Sequence, residues 1–333
     1  MTQAPPPKII GFFDRLARAL AFLIILATLG PLATVAALFA PGPLAQQTTV
    51  IVPHGESTAA ISAQLSTAGA VWAAPLFHVA ARLLATGGLK AGEYIVPAHA
   101  SPAAIAEMMH EGRSVMRFFT AAEGLTSAEI VAELNKDPAL TGTVLPPAEG
   151  SLLPETYRYN YGDTRASILA RMSKAMQEKI GEVWAGREAT LPLQSPQQLV
   201  TLASIVEKET GKPEERPRIA GVFYNRLRFS MRLQSDPTVI YALTGGKSDL
   251  NRALTHDDLA FASPINTYAS DGLPPQPICN PGLASLQAAA HPEHHNFLYF
   301  VADGSGGHAF AADLAAHNAN INRWHDALEN KVQ

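Results

Sequence analysis

From Ala19 to Ala40 the chain runs ALAFLIILATLGPLATVAALFA without one charged residue. At ~1.5 Å per residue, a helix of that length covers the ~30 Å hydrocarbon core of a bilayer. Gly30 and Pro31 fall mid-span, where a membrane helix tolerates them as a kink. Lys8, Arg15 and Arg18 precede the span, and no Lys or Arg follows until Arg82. The positive-inside rule then sets residues 1–18 in the cytoplasm, 19–40 across the membrane, and everything after Pro41 outside. A cleavable signal peptide competes with this reading, because Val35-Ala36-Ala37 has the small-residue character of a cleavage site. The apolar run exceeds the ~7–15 residues of a signal core, which favours a retained single-pass anchor in the inner (cytoplasmic) membrane. Both readings export the remainder.

With 333 residues the chain has room for about two domains besides that segment. A net charge of −4 offers no electrostatic reason for a nucleic-acid partner. Cys279 is the single cysteine, so neither an intrachain disulfide nor a cysteine-type zinc site can form.

Pro41-Gly42-Pro43 and Gln46–Thr49 read as a juxtamembrane linker. Beyond it one pattern recurs three times: a short strand, a turn, then Ser57, Ser101 or Thr126 at a helix N-cap position. Apolar residues follow four and eight positions on, as Ile61 and Leu65, Ile105 and Met109, Ile130 and Leu134. Thr126 and Glu129 have capping-box spacing. These signals predict a small strand–helix–helix–strand module at 48–114, followed by a larger α+β region at 115–333. In the latter, Ser195-Pro196 opens a helix with Leu199, Leu202, Ala203 and Val206 as its apolar stripe. Asp236-Pro237 and Asn280-Pro281 start further helices by the same cap-plus-proline logic. Phe297–Ala302 and His308–Ala311 flank a Gly-rich turn as a hairpin, and Asp313 caps a last helix.

Two carboxylates end the Ser195 helix. At ~100° per residue, Glu207 and Glu209 fall on opposite edges of the stripe. A carboxyl so placed can face a cleft shielded from water, where burial raises its pKa and lets it serve as a general acid near neutral pH. Periodicity does not choose between the two. His291, His294 and His295 read as a loop rather than a metal cluster. His308 and His317 read as braces between the hairpin and the last helix.

The segments GSLLPETY (150–157), LASIVEKET (202–210), VFYNRL (222–227) and MRLQSDPTVIYAL (231–243) occur in that order. SPINTY (263–268), GLPP (272–275), NPG (280–282), YFV (299–301), GGHAF (306–310) and HN (317–318) follow. The series resembles the endolytic murein transglycosylases, the YceG-like family, over nearly the whole chain. The resemblance implies an α+β protein with an N-terminal transmembrane helix, a LysM-like module at 48–114 and a catalytic domain at 115–333. It implies that Glu207, the first glutamate of IVEKE, is the catalytic acid. Gln234, Asp236, Asn266, Tyr268 and Glu155 become candidate substrate-binding residues. Asp236 is equally readable as a helix cap, and Glu155 as the partner of an arginine. The implied reaction cleaves the MurNAc–GlcNAc β-1,4 bond with the sugar's own C6 hydroxyl, leaving a 1,6-anhydro end, and so terminates nascent glycan strands. No cofactor and no metal is called for. The implied partners are peptidoglycan strands, the membrane and peptidoglycan synthases. Ile265 and Gln276 depart from the family pattern, which commonly has Tyr and Gly there. A non-catalytic peptidoglycan-binding scaffold is the rival of another class, and a pyridoxal-phosphate lyase conflicts with the exported topology.

Overall fold

The computed structural model describes residues 10–332, so residues 1–9 of the expected cytoplasmic leader lie outside the described residues. Helix α1 (Ile10–Phe39) includes the uncharged run and carries Pro31 within it. Among the described residues it is the one helix long and apolar enough to cross a membrane.

The chain divides into two units, one comprising the chain up to Arg117 with Asn160–Gly162, the other Phe118–Tyr159 and the chain from Asp163. In the first, strands β1 (Thr48–Val52) and β2 (Gly92–Val96) pair antiparallel, with Thr48 opposite Val96 and Val52 opposite Gly92. Helices α2 (Thr58–Thr67) and α3 (Ala74–Leu84) lie between them in sequence, and α4 (Pro102–Glu111) follows. The alternation of the ribbon turns Val50, Val52, Tyr94 and Val96 inward onto Ile61, Leu65, Phe77, Ile105 and Met109. Leu38, from the last turn of α1, is 2% exposed and belongs to the same core.

The segment expected to be a linker is instead packed. The Gly42 amide donates to His99 O at 3.2 Å, and a Cβ at position 42 would stand 2.3 Å from Ala100 O. Only glycine fits there.

The second unit holds ribbon β3–β4 (Arg117–Thr120, Thr156–Tyr159), hairpin β5–β6 (Tyr299–Ala302, His308–Ala311) and most of the helices. Those are α5 (Ser127–Lys136), α6 (Arg165–Gly186), α7 (Pro196–Glu209), α8 (Arg216–Arg228), α9 (Asp236–Thr244), α10 (His256–Leu259), α11 (Leu283–Ala290) and α12 (Leu314–Val332). Ser57, Ser101, Thr126 and Ser195 each accept a backbone N–H three residues on, as their spacing requires. Asp313 does likewise for Ala316 at the start of α12.

Two helix starts differ from the sequence reading. Ser235, not Asp236, is the N-cap of α9, because Asp236 already has helical geometry and turns its carboxylate to Tyr268. Helix α11 begins after Gly282 rather than at Asn280, whose side chain is spent on Leu125 O, Ser127 and the Leu152 amide.

Helix α7 is the axis of this unit, packed by α6, α8, α9 and α11. Every residue from Leu199 to Val206 is buried, not only the expected stripe. A helix surrounded on all sides is apolar on all sides. Its polar members are satisfied internally, Ser204 by donating to Thr201 O and accepting from the Ile278 amide.

Candidate active site

The last turn of α7 carries Glu207 and Glu209 out of this buried helix into two different polar surroundings. Glu207 has a side chain only 5% exposed. Its Oε1 accepts from Arg216 at 3.2 Å and its Oε2 from the Gly282 amide at 2.8 Å. Arg216, at the start of α8, also lies 3.6 Å from Glu123. Burial and then the neighbouring Glu207 charge raise the Glu123 pKa, with Arg216 opposing. A Cβ at position 282 would meet the Glu123 carboxylate, so Glu123 lies close over Gly282. Glu207 therefore places its carboxylate just ahead of α11, where a helix N-terminus favours negative charge, and ties α7, α8 and α11 together.

Glu209 is set differently. The residue is half-buried, and its Oε1 accepts from the Ser235 hydroxyl. Burial pushes its pKa up to about 7, the Ser235 bond opposes, the Asp236 charge adds and Arg226 subtracts. Ser235 is itself fixed: its amide donates to Thr267 Oγ1 at 2.9 Å, and Thr238 Oγ1 donates to its carbonyl at 2.6 Å.

The candidate binding residues separate into those gathered near Glu209 and those that are not. Gln234 directly precedes Ser235, is exposed, and holds a left-handed φ of 50° that a non-glycine residue adopts only under constraint. Its Oε1 accepts from Arg226 at 3.3 Å, and its amide donates to Thr267 O at 3.2 Å. Asp236 follows Ser235, and the Tyr268 hydroxyl donates to it at 2.6 Å. Burial first, then that bond to Asp236, raise the Tyr268 pKa.

Asn266 is fully buried and its amide is spent on the backbone, donating to Leu259 O and Phe261 O and accepting from the Tyr268 amide. It shapes the loop that presents Tyr268 rather than facing outward. Glu155 stands exposed just before β4, and among the described residues no ion pair joins it to an arginine or to the Glu209 group. Arg226 and Ser235 lie within the quoted motifs, but the sequence reading does not single them out. An arginine within the helix segment VFYNRL is a signal by which Arg226 could have been found; Ser235 carries none.

Departures from the family pattern have plain surroundings. Ile265 packs against the core beside α7, and Gln276 donates to the Tyr241 hydroxyl at 3.2 Å. His308 pairs with Glu215 at 2.7 Å rather than with the last helix, and Glu215 also accepts from Thr210, the residue that ends α7. The hairpin is thus clasped to the end of the helix that carries both glutamates. His317 does brace the last helix, stacking on Tyr299 at 5.0 Å. His294 faces Glu188, and His295 packs beside Phe297.

A cavity of about 620 Å³ opens beside Arg216 between α6 and α11, lined by Val183, Pro213, Leu283 and Ala288 among others.

A family model described as the YceG-like family matches residues 50–323. The endolytic murein transglycosylase of Bacillus subtilis is 40% identical over 172 residues, which make up 52% of this chain and 46% of that protein. The enzyme of the same name from Streptococcus pneumoniae D39 is 36% identical over 178 residues, 52% of this chain and 31% of that protein. The chain thus spans about half or less of these curated relatives. A solved YceG-like protein from Listeria monocytogenes superposes with a TM-score of 0.54 at 32% identity, covering 82% of this chain and 98% of that one.

Proposed function

The chain belongs to the YceG-like family, and from that premise we propose that it is a membrane-anchored endolytic lytic transglycosylase acting on peptidoglycan outside the cytoplasm. The observation that carries the proposal is the half-buried Glu209 carboxyl, bonded to Ser235 with the Asp236 and Arg226 charges beside it and its pKa pushed up to about 7. A group titrating near neutrality can give a proton to a glycosidic oxygen and take one back.

The family resemblance carries the acid onto Glu207, whereas the surroundings support Glu209. Glu207 accepts from the Arg216 guanidinium and from the Gly282 amide, and a cation and an amide donor both favour its charged, proton-free form. Glu209 has one oxygen on Ser235 and the other free for a proton. Glu209 then protonates the glycosidic oxygen, the bond from MurNAc C1 to that oxygen breaks, and GlcNAc leaves with a free 4-hydroxyl. As carboxylate Glu209 removes the proton of the MurNAc C6 hydroxyl, which attacks C1 and closes the 1,6-anhydro ring. Hydrolysis by paired carboxylates needs a second group, for a water or as a nucleophile. Intramolecular attack replaces that group by proximity. Gln234, Asp236 and Tyr268 bind the sugar's polar groups in this scheme, and Glu207 is a positioning residue.

In the same proposal α1 is the retained anchor with residues 1–18 cytoplasmic, and 48–114 is a LysM-like glycan-binding module. The enzyme ends nascent strands beside peptidoglycan synthases. The test is a digest of purified sacculi by the exported part of the chain, read by mass spectrometry. Fragments ending in 1,6-anhydro-MurNAc are expected. Reducing ends would assign a hydrolase, and intact sacculi the non-catalytic scaffold.

A further inference from the structure

In the first unit, the membrane-span candidate α1 does not emerge through a free linker. Leu38 of its last turn sits in the unit's core, and α1 packs on α3 and α4. Both ends of α3 meet the point where the apolar run of α1 stops. At the N-terminal end, Trp72 Nε1 donates to Pro41 O at 3.1 Å. At the C-terminal end, Leu84 lines one hollow with Phe39, Ala103 and Ala104. An 11-residue helix is ~16 Å long, and the residues at both of its ends are thus placed near the exit of α1.

The outward side of this arrangement is apolar where it adjoins that exit. Trp72 is 66% exposed, Phe39 61%, Leu83 59% and Leu84 41%. The core of the unit takes Phe77, Ala80 and Ala81 from α3. Leu76 and Val79 pack half-buried against the same core, and Leu83 beside them is exposed, so this edge of α3 is apolar along its length. On the other edge stand His78 and Arg82, and among the described residues Arg82 has no ion-pair partner. Apolar and basic edges on one short helix, with a tryptophan at its end, make the composition of an interfacial helix. Trp is favoured where an apolar ring must sit beside a wet hydrogen-bonding tip, and Arg82 can reach lipid phosphate while its stem covers apolar surface.

We propose that α3 and Trp72 lie in the headgroup layer of the membrane that α1 crosses, seating the first unit on the bilayer as a collar around the anchor. This rests on the anchor reading above. The occupant of the apolar face is lipid because the face is continuous with the end of a bilayer-long apolar helix whose last turn is built into the same core.

The test uses the full chain in vesicles of phosphatidylcholine and phosphatidylglycerol, with Trp184→Phe and Trp324→Phe leaving Trp72 as the sole tryptophan. Flotation with the vesicles is read first, then Trp72 emission with bromine placed high or low on the lipid chains. The expected result is flotation, a blue-shifted emission, and greater loss of emission to the high bromines than to the low ones. Protein that fails to float overturns the anchor reading and this proposal together. Protein that floats with a water-like Trp72 emission untouched by bromine overturns the proposal alone. Emission that shifts with protein-to-lipid ratio but not with bromine assigns the face to a second copy and also overturns it. An environment-sensitive label on Leu83→Cys, an exposed position, repeats the reading without relying on the tryptophan substitutions. A water-like signal there in floated protein counts against the proposal in the same way.

Discussion

At the scale of the residue, Glu209 and Glu207 are two positions apart yet do opposite things. Glu209 loses solvent and gains only Ser235 as a strong donor, so its neutral form is favoured. Its folded-state value of about 7 exceeds the ~4.3 of an unfolded chain. The folded protein therefore binds more protons between those values, and the contribution of Glu209 to stability falls as pH rises through that window. Glu209→Gln does not titrate, so it should melt near wild type at about pH 4 and above it at about pH 8, by ~1–3 kcal/mol. Equal melting temperatures at both pH values would mean that the carboxyl is not enclosed in the folded chain. Activity of the wild type should fall on the alkaline side of about 7, as the acid form is lost. A plateau running well past that value would remove Glu209 as the acid.

At the scale of the element, α7 separates what a sequence can reveal from what it cannot. A helix with Leu199, Leu202, Ala203 and Val206 inward leaves Ile205 on the outer side, whereas here Ile205 is fully buried. Ile205→Ala should cost ~2–5 kcal/mol in chemical denaturation. A cost within ~0.5 kcal/mol, the usual size for a surface change, would contradict the buried axis. The caps at Ser57, Ser101, Thr126 and Ser195 were legible because a hydroxyl and its N3 amide are neighbours in sequence. Helix α6 was not, since Ile168, Leu169, Met172 and Met176 form a narrow buried face among many charged residues. The site was legible in part. Gln234, Asp236 and Tyr268 converge because SPINTY folds against the start of α9 through the Thr267–Thr238 hydroxyl pair at 2.8 Å. That pairing crosses 29 residues, a distance no local pattern reports. The same limit hid the choice between the glutamates, which depends on Arg216, Gly282 and Ser235 arriving from three other segments.

At the scale of the whole molecule, the chain beyond α1 must stand outside the cytoplasm to meet peptidoglycan. A reporter that works only outside the cytoplasm, fused after Gln333, should be active. One that works only inside should be silent, and the reverse pattern would remove the substrate. If a single carboxyl, Glu209, performs the transglycosylation, digestion of sacculi by three purified proteins shows it. Wild type, Glu207→Gln and Glu209→Gln are compared for release of 1,6-anhydro-MurNAc ends, with a melting curve for each. General acid–base assistance is worth ~10²–10⁴-fold, so Glu209→Gln should lose turnover by that factor while remaining folded. Glu207→Gln should lose melting temperature, because it loosens the Arg216 and Gly282 contacts, and should keep turnover within about tenfold where it is folded. Near-normal turnover in Glu209→Gln, or a folded Glu207→Gln that releases no anhydro ends, would contradict the assignment.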